Sequence, residues 1–173
     1  MFLTLDGAEH QFAATDPHTV LPSLQHQDCL GQAAREVAEL SLPRELHVAT
    51  DQRTAVVRLS VVPTGNGGDL ELNNIRGTTL LAEDPEQPWP RELSIAGTDS
   101  ASVVEVSVLP ARCDPHALAE DKAGTRLPVD ITAGEWSGQL LLEPDEEFTR
   151  SVYAFVTAAC AKEGSTESAD RGK

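Results

Sequence analysis

Cys113 and His116, in the segment Arg112-Cys113-Asp114-Pro115-His116, come nearest in this chain to the residue types and spacing of a metal site. A thiolate and an imidazole three positions apart supply two zinc ligands, and Glu120, one helical turn beyond His116, offers a carboxylate oxygen. A closed site needs a second Cys-x-x-Cys or His pair. The sequence has none, and His10, His18, His26 and His47 are scattered without ligand spacing. The competing reading is a disulfide cysteine followed by a histidine at a helix start. Three cysteines are present: Cys29, Cys113 and Cys160. In an oxidising compartment a Cys113–Cys160 bridge would pin the C-terminal helix to the segment around His116 and leave Cys29 unpaired. Cys29–Cys160 is the rival pairing, and spacing does not choose between them. Cys29 at a helix start has the setting of a reactive thiol, but no histidine and acid accompany it as a nucleophile requires.

Other catalytic patterns are absent. The chain lacks a G-x-S-x-G elbow, a phosphate-binding G-x-x-x-x-G-K-S/T loop, G-x-G-x-x-G and H-E-x-x-H. No constellation with assigned roles can be assembled, so the expectation is a non-enzyme without a cofactor. Gly65–Gly68 has the composition of an anion cradle, although an Asn66-Gly67 turn between strands explains it without a ligand. The acidic pairs Glu83-Asp84 and Glu120-Asp121 read as solvated loops. Trp89 and Trp136 invite a ligand-stacking role, but their matched positions favour packing in the core or at a sheet edge.

Those matched positions belong to a tandem repeat that organises the chain. Residues 43–89 and 90–136 both open Pro-Arg-Glu-Leu and both close on tryptophan, and 14 of their 47 aligned positions are identical. A supersecondary unit used twice, each copy covering the other's apolar face, accounts for such a pattern. Each unit is expected to begin with a short strand, 45–50 or 92–97. The clearest strand follows: Val57, Leu59 and Val61 alternate with Arg58 and Ser60, and Val104, Val106 and Val108 alternate with Glu105 and Ser107. A third strand follows Gly77 or Gly124, with Leu80 or Leu127 inside, and a last strand over 139–142 begins a third copy. The units differ most over 65–76 and 112–123. A turn and strand in the first are replaced by a short helix in the second, with Asp114 as N-cap and Pro115 at the first helical position.

Outside the repeat, 2–5 and 10–14 read as short edge strands and Asp16-Pro17 as a turn. A helix is expected from Asp28 as N-cap to about Leu40, with Leu30, Ala33, Ala34, Val37 and Leu40 on one stripe. A second helix follows Asp145-Glu146-Glu147, burying Phe148, Val152, Phe155, Val156 and Ala159 against the sheets. The units are therefore 1–42, N-terminal strands and helix from the end of a preceding domain; 43–162, a repeat-built β-sandwich with its C-terminal helix; and 163–173, a disordered tail. The fold class is mainly β, an immunoglobulin-like antiparallel sandwich with two flanking helices.

The chain has 173 residues, 40% of them hydrophobic, enough for one buried core. With 28 acidic and 13 basic residues its net charge is −15. That balance disfavours nucleic acid and an anionic membrane face, both of which attract basic surfaces. No run reaches the roughly 18 apolar residues of a membrane-spanning helix. Only three basic residues are lysine, a composition typical of a GC-rich source. Met1–Asp6 is too short and too soon acidic for a signal peptide, so the chain is expected to be cytoplasmic unless its natural N-terminus lies upstream.

The block Arg112-Cys113-Asp114-Pro115-His116-Ala117-Leu118-Ala119-Glu120-Asp121-Lys122, followed by Gly124-Thr125, resembles a segment of uncharacterised exported proteins of high-GC Gram-positive bacteria. Asp28-Cys29-Leu30 and Val152-Tyr153-Ala154-Phe155-Val156, with Cys160 beyond, are similar to the same group. The resemblance implies an extracytoplasmic β-sandwich without an assigned reaction. The leading expectation is a non-catalytic binding or structural module for an unknown protein or cell-surface ligand, in an oligomeric state the sequence leaves open. The alternative is metal binding through Cys113 and His116, helped by Glu120.

Overall fold

The computed structural model describes the backbone of residues 2–5, 8–11, 16–114, 116, 118, 121 and 123–170, and side chains from residue 16 to residue 162 within that set. In chain order the elements are β1 (Phe2–Leu5), β2 (Ala8–Gln11), α1 (Val20–Val37), β3 (Ala38–Ser41), β4 (His47–Val48), β5 (Ala55–Pro63), β6 (Asp69–Ile75) and β7 (Leu81–Glu83). They continue with β8 (Leu93–Ala96), β9 (Ser102–Pro110), β10 (Leu127–Ala133), β11 (Trp136–Leu142) and α2 (Glu146–Asp170). β1 and β2 pair only with each other, and the other nine strands form two antiparallel sheets. One runs β3-β5-β9-β7, with β4 also on β5; the other runs β11-β10-β6-β8. The chain is mainly β, with two open sheets consistent with a sandwich, α1 preceding them and α2 following them.

Period-two patterning sets which faces meet. On β5, Ala55, Val57, Leu59 and Val61 are fully buried, while Arg58 and Val62 are exposed. On β10, Leu127, Val129, Ile131 and Ala133 are buried and alternate with the half-buried Pro128, Asp130 and Thr132. Each buried aliphatic side chain contributes about 1.5–3 kcal/mol relative to leaving it in water, so these rows carry the core. β5 and β9 pair from Ala55↔Val108 to Val61↔Ser102, with Arg58 opposite Glu105. These two residues, 47 positions apart in the chain, form an ion pair of 2.8 Å.

α1 departs from expectation at both ends. It begins at Val20 because both carboxylate oxygens of Asp16 accept the first free amides, from Val20 at 2.9 Å and Leu21 at 2.8 Å. Pro22 lies in the first turn, where a missing N–H costs nothing. Asp28 is therefore inside the helix and is not its cap. Residues 20–28 are exposed, so this half offers no apolar stripe to read. α1 ends at Val37, and Leu40 belongs to β3, paired with Val61. Leu30, Ala34 and Val37 are buried, and α1 packs beside β11, β10 and β3.

The strand boundaries differ in smaller ways. β4 covers only His47 and Val48, and Leu80 is buried just before β7 rather than within it. β11 starts at Trp136, three residues before 139. β2 is Ala8–Gln11, and residues 12–14 of the expected strand lie outside the described residues. The backbone of α2 stays helical through Asp170, past residue 163, where the sequence leads one to expect a disordered tail.

The Gly65–Gly68 turn between β5 and β6 is fixed by backbone bonds. The Gly65 amide donates to the Gly97 carbonyl at 2.8 Å, and the Gly97 amide to Gly68 at 2.9 Å. Gly65 and Gly68 have φ of 85° and 115°, in the region that favours glycine. A Cβ on Gly97 would collide with the Asn66 carbonyl. In urea denaturation, Leu59→Ala is expected to lower stability by about 2–5 kcal/mol through the cavity it leaves. Gly97→Ala should cost about 1–3 kcal/mol by overpacking. An unchanged midpoint for Gly97→Ala would refute the close approach of the two turns.

Candidate functional site

The segment between β9 and β10 carries most of the predicted site residues, and the structure organises it around Asp121. The Asp121 carboxylate accepts the Gly124 amide, with contacts of 2.9 and 3.1 Å, and the Thr79 hydroxyl. It also accepts the Tyr153 hydroxyl of α2 at 3.0 Å. Alongside, the Thr78 hydroxyl donates to the Gly124 carbonyl at 2.6 Å. The Gly77-Thr78 and Gly124-Thr125 turns thus meet each other. Asp121 was expected in a solvated loop. It is instead a clip holding the β6–β7 connection, the β9–β10 segment and α2 together.

Cys113 and Cys160 form a disulfide with a Cα–Cα separation of 5.2 Å. This resolves the choice of pairing, and Cys29, half-buried inside α1, is the free cysteine. Burial of Phe148, Val152, Phe155, Val156 and Ala159 on one face of α2 brings Cys160 to Cys113. At the other end of α2, Asp145 accepts the Phe148 amide at 2.7 Å. The Leu46 amide donates to Ser151 at 3.3 Å.

Asp114 acts as the expected cap, its carboxylate accepting the His116 amide at 2.9 Å and its carbonyl the Leu118 amide at 3.1 Å. His116 is exposed and helical. Glu120, with Pro115, lies outside the described residues. With Cys113 oxidised, its sulfur is not a thiolate and cannot ligate as one. Among the described residues no group of three or more His, Cys, Asp or Glu side chains could hold a metal ion.

The pair Glu83-Asp84 is also more than a solvated loop. Asp84 is buried, accepting the Ser107 hydroxyl at 3.0 Å and the Glu86 amide at 2.9 Å. Trp89 Nε1 donates to the Ser107 carbonyl, and the Trp89 amide to Glu83 at 2.7 Å. Trp89 is therefore core, packed over β9 with its polar edge satisfied. Trp136 is half-buried at the start of β11, where the His26 ring meets it edge-on at 5.4 Å. His26 Nε2 donates to the Ser137 carbonyl at 2.9 Å. A cleft of about 630 Å³ opens beside Trp136, lined by Glu36, Asp69, Glu71 and Glu135 among others. These acids come from α1, β6 and the β10–β11 turn, and no spacing in the sequence groups them.

Two carboxylates are held below the usual range. Asp51 is lowered mainly by the amides of Arg53 and Thr54, and Asp130 mainly by the Arg76 guanidinium at 2.6 Å. Tyr153 moves the other way: burial, then the Asp121 carboxylate, raises its phenol above the ordinary value of 10.0.

No protein-family model matches the chain, and no curated protein or solved structure is significantly similar to it. Among the described residues no helix is long and apolar enough to cross a membrane.

Tyr153 is the single tyrosine, so phenolate absorbance reports it alone. Its native midpoint is expected above about 10, returning to about 10 in denaturant. Because the folded value is the raised one, the Tyr153 contribution to stability is complete below that pH and is lost as pH climbs through the folded midpoint. Asp121→Asn should lower the native midpoint without abolishing the shift, since burial is the larger cause. A native midpoint at or below the denatured one would contradict the contact.

Proposed function

We propose that the chain is a non-catalytic binding or structural module that works outside the membrane as an immunoglobulin-like sandwich. The observation that carries this reading is the Cys113–Cys160 disulfide, which joins α2 to the segment between β9 and β10. Structural disulfides persist in oxidising compartments and are rare in the cytosol, which supports export. The resemblance to exported, unassigned proteins of high-GC Gram-positive bacteria points the same way and remains part of the proposal.

Strand order supports the immunoglobulin-like part. In space the sheets β3/β4-β5-β9-β7 and β11-β10-β6-β8 match the orders A-B-E-D and G-F-C-C′, although β7 in the D position precedes β8 in the C′ position along the chain, the reverse of the immunoglobulin connection. The tandem repeat is proposed as the origin of this arrangement. In its favour, β5 and β9 fall in equivalent segments and pair about Arg58 and Glu105. Past that ladder the partners differ, since β4 pairs with β5 whereas its counterpart β8 pairs with β6.

The buried polar groups of the core are engaged in structural bonds. Asp84 and Ser107 are buried and bonded to each other and to nearby backbone. No buried side-chain polar atom among the described residues is left without a partner, so the interior already uses its polar groups for structure.

Intact mass after alkylation of the protein from its native source, with and without prior reduction, tests the reading. Cys29 should react directly, and Cys113 and Cys160 only after reduction. If all three react at once, export loses its support and metal binding through Cys113 and His116 takes its place.

A further inference from the structure

β9 is covered on one side along most of its length and on the other only at its end. It pairs with β5 from Ser102 to Val108, but with β7 only from Val108 to Pro110. Backbone groups in an antiparallel strand point alternately to the two sides. The Ser107 carbonyl accepts the Asp84 amide on the β7 side, and Leu109 is opposite Ala82 there. Val103 and Glu105 therefore present their N–H and C=O groups to that same side, where no strand of the described residues meets them.

Across the opening, β8 is the edge of the other sheet. Gly97 directs its amide to Gly68 beside β6, so Ser94, out of phase with it, faces outward. Between the two edges is a cleft of about 360 Å³ with Val61, Leu93, Ile95 and Val104 among its lining residues. Val103 on its rim is 57% exposed. Its charged lining residue is Glu105. An open edge above an apolar floor can be matched in full only by another strand, because only a strand supplies backbone donors and acceptors at the spacing of the ladder.

We propose that an extended segment of a separate protein, apolar at alternate positions and basic on its outward face, adds as a strand to β9 in this cleft. Its backbone bonds to Val103 and Glu105, and its apolar side chains lie over Val61, Ile95 and Val104. The net charge of −15 favours a basic segment and opposes a second copy of this chain. This inference rests on the binding-module reading and gives that module a partner chemistry.

The test selects from a random peptide phage library on the full chain, then measures amide exchange with the selected peptides. Val103→Pro with Glu105→Pro is the informative variant. Both amides point away from β5, so proline there removes the edge donors and keeps the backbone bonds to β5, while Glu105→Pro also removes the exposed ion pair with Arg58. Selected peptides should alternate apolar residues, carry Lys or Arg, slow exchange at Val103 and Glu105 by about tenfold or more, and bind the variant at least about tenfold more weakly. Exchange on the unaltered chain stands even if the variant folds poorly. Failure to enrich any peptide, or peptides that leave those two amides unprotected, would overturn the proposal. Sedimentation showing a dimer of the unaltered chain and a monomer of the variant would assign the edge to a second copy and overturn the separate partner. Failure here with Cys113 and Cys160 still resistant to alkylation removes the strand partner alone. Ready alkylation removes the export reading and leaves the edge to be judged by exchange.

Discussion

From Ala55↔Val108 to Val61↔Ser102, β5 and β9 pair through the middle of one sheet, and the other elements are placed by reference to that ladder. Its inward row, Ala55, Val57, Leu59 and Val61 with Val106 and Val108, is fully buried. A shift of one residue would turn that row to solvent and bring Arg58 and Glu105 into the core, so the register is strongly specified. β3 and β4 attach along the far side of β5, and β7 and the Trp89 turn attach to the C-terminal half of β9.

A two-sheet core leaves open sides, and two helices cover part of them in physically different ways. α1 buries Leu30, Ala34 and Val37 near β11 and β3, and its exposed first half is held by the Asp16 cap and by His26 against Ser137 and Trp136 of β11. α2 is anchored by a buried apolar face, by Asp121 through the Tyr153 hydroxyl, and by the disulfide. A cross-link closing a loop of this length restricts the unfolded chain, on the order of 2–4 kcal/mol in the chain-entropy view. It therefore reinforces an arrangement that packing and hydrogen bonds already define.

Much of the β framework was legible because burial on one face writes itself into alternation. β5, β9 and the apolar stripe of α2 could be read this way, as could the turn at Asn66-Gly67. The first half of α1 could not, since a solvated helix held by its cap has no periodic signature. Asp84 and Asp121 were misread for a related reason. A carboxylate inside a loop and one exposed to water look alike in sequence, and the difference lies in which amides and hydroxyls the fold brings to them. In the candidate site, Cys113, Cys160 and the Asp114 cap were visible as residues, but their geometry was not. The acidic cleft beside Trp136 was invisible because its acids come from separate elements.

The sequence by itself determined the mainly β class, the inward rows of the longest strands and the helix that closes the chain, because each follows from contacts between a residue and its near neighbours or a single buried face. The tertiary structure decided which cysteine pairs with Cys113, which acids become structural, and which stretch of β9 is left without a neighbour. Those outcomes depend on the meeting of segments far apart in the chain. β7 stops after three residues, and the backbone of Val103 and Glu105 is open only because no other described strand reaches that far. Local pattern carries no record of such a shortfall, since an edge is defined by the strand that is not beside it.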